Sequence, residues 1–122
     1  MKDVFLRRAE RGAYIIPMLL HDTRSPVAVK AVLLDISAKG VRCFTNDRRL
    51  LLMSDEVLYD KAFRLEFDFF DVDTSRLTGR VVNLRQGKHA RYERQLGLEF
   101  ANITPTQARD INRAIAASMA KA

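Results

Sequence analysis

Residues 63–69 read Phe-Arg-Leu-Glu-Phe-Asp-Phe, so apolar and charged side chains alternate over the whole segment. Successive side chains of a β-strand point to opposite faces, and a strand with one buried face therefore shows this period of two. Further short apolar runs, separated by turn residues, indicate about six strands in all. These runs span residues 14–20, 27–36, 41–45, 77–84 and 92–100. The pattern predicts a mainly β protein.

The end of the chain changes to a helical period. Thr104, Pro105 and Gln107 form a capping box with proline at the first helical position, which is a typical helix start. Apolar side chains then recur at helical spacing, at Ala108, Ile111, Ile115 and Met119. We therefore predict a small six-stranded antiparallel β-barrel with one C-terminal α-helix over about residues 104–120, covering an edge or an opening of the barrel.

The 122 residues have the length of a single domain, and their composition, 48% hydrophobic and 30% charged, is ordinary for a globular protein. We predict one domain over residues 13–122, preceded by a flexible basic arm at residues 1–12. Residues 46–62 fit no clear pattern, and their apolar run at 50–53 suits a short helix or an irregular connection. The net charge of +6 favours anionic partners. A mixed basic surface that only aids solubility is the alternative.

The cysteine content and the hydropathy indicate a cytoplasmic protein. Cys43 is the one cysteine of the chain, so an intrachain disulfide and a thiol-rich metal site are both excluded. The first residues lack an apolar stretch of signal-peptide length. No segment approaches the roughly 20 apolar residues of a membrane span, and we expect no membrane insertion.

Enzyme and metal motifs are missing from the sequence. His21 and His89 lie in or beside predicted turns without a spaced partner. Residues 71–75 imitate the opening of a calcium loop, but Arg76 replaces its glycine and Val82 its final glutamate. A glycine loop for phosphate is also lacking. The sequence therefore predicts a protein that is not an enzyme and needs neither a metal nor a cofactor.

Two polar motifs flank the first two predicted strands. Residues 7–11 read Arg-Arg-Ala-Glu-Arg and contain an R-x-x-x-R spacing before the first strand. Residues 35–40 read Asp-Ile-Ser-Ala-Lys-Gly, a D-x-S-x-x-G pattern at the end of the second strand. The R-x-x-x-R spacing recurs at 76–80 and 109–113, so the order and context of the two motifs carry the information. In these motifs the sequence resembles the PilZ domain family.

The resemblance covers nearly the whole chain. Pro17 follows the first motif, and Gly79-Arg80-Val81 looks like a later strand of the family. Residues 96–100, followed by the capped helix, look like the C-terminal end of the family's domain. Residues 46–62 are not aligned. The resemblance implies a PilZ-like split barrel that binds the bacterial second messenger cyclic di-GMP.

The resemblance also implies which residues bind the ligand. Arg7 and Arg11 match the arginines of the family motif, and Arg8 is an adjacent helper. Cyclic di-GMP has two phosphates and two guanines. A guanidinium can donate two parallel hydrogen bonds to a phosphate or to O6 and N7 of guanine, and it can stack on a base.

The D-x-S-x-x-G turn supplies the other implied contacts. An ionised carboxylate only accepts hydrogen bonds, so Asp35 would accept those of guanine N1 and N2. Ser37 would donate to a phosphate or a base edge, or would only brace the turn. Gly40 would let the backbone turn sharply and approach the ligand closely. The alternative is an ordinary turn beside a solvated arm.

A mechanism follows from these assignments. The ligand would bridge the arm to the turn, order the arm and so change the affinity for a protein partner, which makes the chain an adaptor. One alternative is a PilZ-like interaction module that works without a ligand. Another is a basic nucleic-acid-binding barrel, which is disfavoured because such barrels expose aromatic residues for base stacking, whereas these phenylalanines alternate onto one strand face and are predicted to be core.

Overall fold

The computed structural model describes residues 15–86 and 94–120. Within these residues the chain forms six strands and three helices. The strands are β1 (Ile16–Asp22), β2 (Ala28–Ile36), β3 (Gly40–Thr45), β4 (Ala62–Glu66), β5 (Thr78–Gln86) and β6 (Arg94–Phe100), and the helices are α1 (Arg48–Leu51), α2 (Asp55–Tyr59) and α3 (Pro105–Ala120).

The strands form one closed barrel in the order β1-β2-β3-β6-β5-β4. Every neighbouring pair is antiparallel, and the pairing of β1 with β4 completes the ring. Closure removes exposed sheet edges, where strands of other chains could add. The predicted six-stranded antiparallel barrel with a C-terminal helix is confirmed.

The alternation in residues 63–69 arises because β4 has one buried face. Phe63 and Leu65 are each 1% exposed and point into the barrel. The strand ends at Glu66, however, so the predicted strand was too long. The amide of Val72 donates to the carbonyl of Phe69 over 3.1 Å, and this turn replaces the sheet ladder. Phe69 nevertheless remains fully buried.

Residues 46–62, which the sequence left open, contain α1 and α2. Asp47 caps α1 by accepting a hydrogen bond from the Arg49 amide, and Ser54 caps α2 in the same way. Arg94, the first residue of β6, donates to the carbonyls of Leu50 and Met53. These hydrogen bonds hold the two short helices against the end of the barrel where β3 finishes and β4 begins.

The opposite end of the barrel, where β1 begins, is named the arm end. Helix α3 covers it and buries Ile111 and Ile115 almost completely. The predicted capping box is present, because the Gln107 amide donates to Thr104 Oγ1 and the Thr104 amide donates to Gln107 Oε1, each over 3.1 Å. The side chain of Met119 lies outside the described part.

Among the described glycines, Gly40 has the closest neighbouring atom. A Cβ on this residue would lie 2.0 Å from the carbonyl oxygen of Leu98 on β6. The backbone of Gly40 is outside the left-handed region, so the turn does not need a glycine there for a positive φ. The glycine is required because two backbones approach closely. The neighbouring carbonyl of Lys39 accepts a hydrogen bond from the Phe100 amide over 2.8 Å.

We predict that Gly40→Ala destabilises the barrel by at least about 2 kcal/mol, since the added methyl group meets a backbone carbonyl that cannot rotate away. Equilibrium unfolding in urea measures this loss. Lys39→Ala, one residue earlier in the same turn, is the control, and its effect should stay within about 0.5 kcal/mol. A Gly40→Ala protein as stable as the wild type would contradict the proposed role of the close approach.

Candidate functional site

The arginines of the first motif, Arg7, Arg8 and Arg11, lie outside the described residues, as does the predicted arm at 1–12. Their roles therefore stay predictions. The described chain starts at Ile15, directly before β1, with a side chain that is 82% exposed. The arm thus joins the barrel at the arm end.

The D-x-S-x-x-G residues form the hairpin that connects β2 to β3 at the same end. The Ser37 amide donates to the Gly40 carbonyl over 2.9 Å, and the Ser37 hydroxyl accepts a hydrogen bond from the Lys39 amide over 3.1 Å. The serine therefore braces the turn, which is one of its two predicted roles. Its hydroxyl hydrogen is not used in this contact, so the second role, donation to a ligand, is compatible with it.

Asp35 is paired with an arginine that the sequence analysis did not identify. Asp35 lies opposite Arg42, next to a bulge where the register of β2 on β3 shifts between Leu33 and Asp35. Arg42 Nη2 lies 3.1 Å from Asp35 Oδ2, and the side chain of Asp35 is 0% exposed. Removing one partner of a buried ion pair leaves the other charge uncompensated. Asp35 therefore has a structural role whatever its role in binding.

A groove of about 490 Å³ begins at this hairpin and crosses the outer face of β3, β6 and β5. Gly97 lines its middle, and a Cβ there would lie 2.9 Å from the Cβ of Asn83 on β5. The volume is within the range of about 300–1,000 Å³ that is usual for small-molecule sites. We name it the hairpin groove. The charged side chains that line it are Lys39, Arg42, Arg85 and Glu99.

Three basic side chains line the hairpin groove against Glu99, and even with Asp35 paired to Arg42 the net charge stays positive, which suits an anion. Arg85 reaches this face because β5 also carries a bulge, between Val81 and Asn83. If Val82 were a regular ladder residue, the period of two counted from Val81 would turn Arg85 inward. The sequence analysis missed this arginine because a bulge depends on pairing with a distant strand. Arg42 could have been identified from the sequence as the partner of Asp35, because a four-residue turn at 37–40 places residue 42 opposite residue 35.

Of the other polar residues that the sequence analysis considered, His89 lies outside the described residues, and those within them make ordinary contacts. His21 Nε2 lies 2.7 Å from Glu66 Oε1 on the neighbouring strand. Asp73 accepts hydrogen bonds from the hydroxyl and the amide of Ser75, which lower the pKa of Asp73 and fold this segment into a turn. Among residues 15–86 and 94–120, no cluster of three or more His, Cys, Asp or Glu side chains could hold a metal ion.

The alternating phenylalanines at 63–69 are core, as predicted, and the thiol is buried as well. Phe63, Phe67 and Phe69 are all at most 6% exposed. Cys43 is fully buried, and burial raises the pKa of its thiol to about 12. No helix in the described part of the chain is both long enough and apolar enough to cross a bilayer.

Comparison with known proteins places this geometry in a family. The family model of the PilZ domain matches residues 5–117. Among solved structures, the chain is similar to the PilZ domain with c-di-GMP of YcgR from Escherichia coli, with a TM-score of 0.61 and 15% sequence identity over 84% of this chain and 80% of that one. No curated protein matches the chain in sequence. The resemblance inferred from the two motifs is confirmed: this chain belongs to the PilZ domain family.

Proposed function

We propose that this chain is a receptor that binds cyclic di-GMP at the hairpin groove and passes the signal to a protein partner as a non-enzymatic adaptor. One observation carries the proposal: a positively charged groove begins at the D-x-S-x-x-G hairpin of a PilZ-family barrel. The YcgR domain that shares this fold has c-di-GMP bound.

The charges of the hairpin groove are complementary to such a ligand. Cyclic di-GMP carries two phosphates, and the groove offers Lys39, Arg42 and Arg85. The Asp35 carboxylate holds the Arg42 guanidinium at the groove edge over 3.1 Å. A side chain fixed before binding loses less rotamer freedom when the ligand arrives, which favours affinity.

The arm can bring its arginines to this site. Ile16 pairs with Leu33 on β2, two residues before Asp35. Adjacent strands lie about 5 Å apart, and two residues add about 7 Å along the strand. Arg11 is five residues before Ile16, which allows about 17 Å of extended chain. Arg7 and Arg11 would therefore be able to cover a ligand held beside the hairpin.

Binding would connect the arginines of the arm to the hairpin groove, and this connection supplies a signal. A ligand shifts a conformational equilibrium only by as much as it binds one state better than the other. Contacts from Arg7 and Arg11 exist only when the arm lies over the ligand. The ligand-bound arm and the hairpin groove together would then present a surface that differs from that of the ligand-free chain, and the partner would read this difference.

The first prediction is direct binding. Titration of the protein with cyclic di-GMP in a calorimeter should give saturable heat at tens of micromolar ligand. Cyclic di-AMP is the matched control, because adenine lacks the O6 acceptor and the N2 donor of guanine, and it should bind much more weakly. If the folded wild-type protein produces no heat with cyclic di-GMP, the receptor proposal is wrong.

The second prediction concerns the arm. Arg11→Ala should weaken cyclic di-GMP binding by about tenfold or more, since a hydrogen bond to a charged group contributes about 1.5–3 kcal/mol. Arg109→Ala removes an arginine from another R-x-x-x-R spacing, on α3, whose side chain is 60% exposed, and it should leave the affinity unchanged. Equal affinities for the two variants would exclude the arm as part of the site. Asp35 is a poorer probe because its removal leaves Arg42 without its buried partner.

The third prediction concerns the hairpin groove. Arg85→Ala should weaken binding about fivefold to tenfold and reduce its salt dependence, because one charged contact with a phosphate is lost. Arg64→Ala removes an exposed arginine from the outer face of β4, away from the groove, and serves as the control. Calorimetry at two salt concentrations measures both effects. An Arg85→Ala protein that binds like Arg64→Ala would place the ligand elsewhere.

A further inference from the structure

A second groove, of about 610 Å³, lies at the arm end between α3 and the turn that follows β4. Phe70 and Val72 line one side, and Ala114 and Ala117 line the other. The short alanine side chains leave room above the helix for a larger apolar group. We name it the Phe70 groove.

Phe70 is held in an unusual way. Its φ of 51° lies in the left-handed region, where a bulky residue is disfavoured. Its ring is nevertheless 62% exposed and packs edge-on against Phe69, with 4.9 Å between ring centroids. Glycine or asparagine would fit this turn with less strain. A strained turn that presents an aromatic ring beside a shallow apolar groove is typical of a contact surface.

The chain enters the barrel next to this groove. β1 pairs with β4 such that Leu19 faces Glu66, and Pro17 and Asp68 line the same cleft, so Ile15 and Phe70 both lie at the arm end beyond this pair. The 14 residues that precede Ile15 therefore leave the barrel beside the Phe70 groove. The segment can therefore reach the Phe70 groove without crossing the barrel.

The composition of this segment matches the groove. Val4-Phe5-Leu6 is an uninterrupted apolar triplet in an otherwise charged arm, which carries four basic and two acidic residues within 1–12. The rim of the groove carries Asp71 and Asp110 as well as one basic residue, Arg113. An apolar triplet flanked by basic residues is complementary to an apolar groove with an acidic excess at its rim.

We propose that Val4-Phe5-Leu6 of the same chain docks in the Phe70 groove, with the ring of Phe5 against Phe70 and the alanines of α3. The contact does not depend on a ligand. It fastens the arm at both ends, at residues 4–6 and at Ile15, and keeps the arginines between them near the D-x-S-x-x-G hairpin. A shorter closed loop has a smaller conformational entropy to lose, so docking would favour later binding of an anion by this loop.

Disulfide trapping tests the contact in the whole chain without any ligand. The test pair is Phe5→Cys with Ala117→Cys, and the control pair is Phe5→Cys with Leu52→Cys. Leu52 is 78% exposed and follows α1 at the other end of the barrel. The native Cys43 can remain, since its thiol is buried. Ten residues of extended chain span about 35 Å, whereas the barrel is roughly 25 Å long, so an undocked Phe5 could reach either position.

Under mild oxidation the test pair should form an intramolecular disulfide at least tenfold faster than the control pair. Adding Phe70→Asn, which suits the left-handed backbone and removes the ring, should slow the test pair toward the control rate. Urea unfolding of each reduced variant verifies that it is folded. Equal rates for the two pairs would overturn the proposal. So would trapping only between chains when the two variants that each carry one introduced cysteine are mixed, because the occupant would then be a second copy.

Discussion

The pairing of β3 with β6 is the constraint on which the rest of the structure depends. These strands are far apart in sequence, with Gly40 facing Glu99, and their pairing joins the β2–β3 hairpin to the last strand of the barrel. The contact requires a residue without a side chain, because the Leu98 carbonyl occupies the space of a Cβ at position 40. The same contact forms the hairpin groove. The glycine of the D-x-S-x-x-G motif therefore supports the fold before it supports any ligand.

This dual use changes how the motif is understood. Ser37 accepts a hydrogen bond within the hairpin, Asp35 forms an ion pair with Arg42, and Gly40 lets the backbone of β6 approach closely. Each of the three motif residues therefore has a structural reason to be present. The outcome is a hairpin whose shape is fixed before a ligand arrives. Such preorganisation lets binding energy go into new contacts instead of ordering the site. It also means that loss of binding in a motif variant is informative only when stability is measured beside it.

Much of the fold could be predicted from local patterns, and most of the groove could not. The alternation in β4 and the capping box of α3 depend on neighbouring residues, so both were visible in the sequence. The end of β4 at Glu66 was missed because a turn at Phe69 interrupts pairing while burial continues. Arg85 was missed for a different reason. Its outward direction is set by the bulge at Val82, which exists only in the pairing with β6.

The two bulges have a consequence for comparing this chain with its relatives. Each bulge adds one residue to a strand, at Leu34 in β2 and at Val82 in β5, while the partner strand stays regular. Omitting that single residue restores a regular ladder and keeps Asp35 and Arg85 on the outer face. An alignment gap of one residue in β2 or β5 therefore belongs at the bulge. Placed elsewhere, the gap would assign outward-facing residues of one protein to core positions of the other, and homologous ligand contacts would be paired with the wrong side chains.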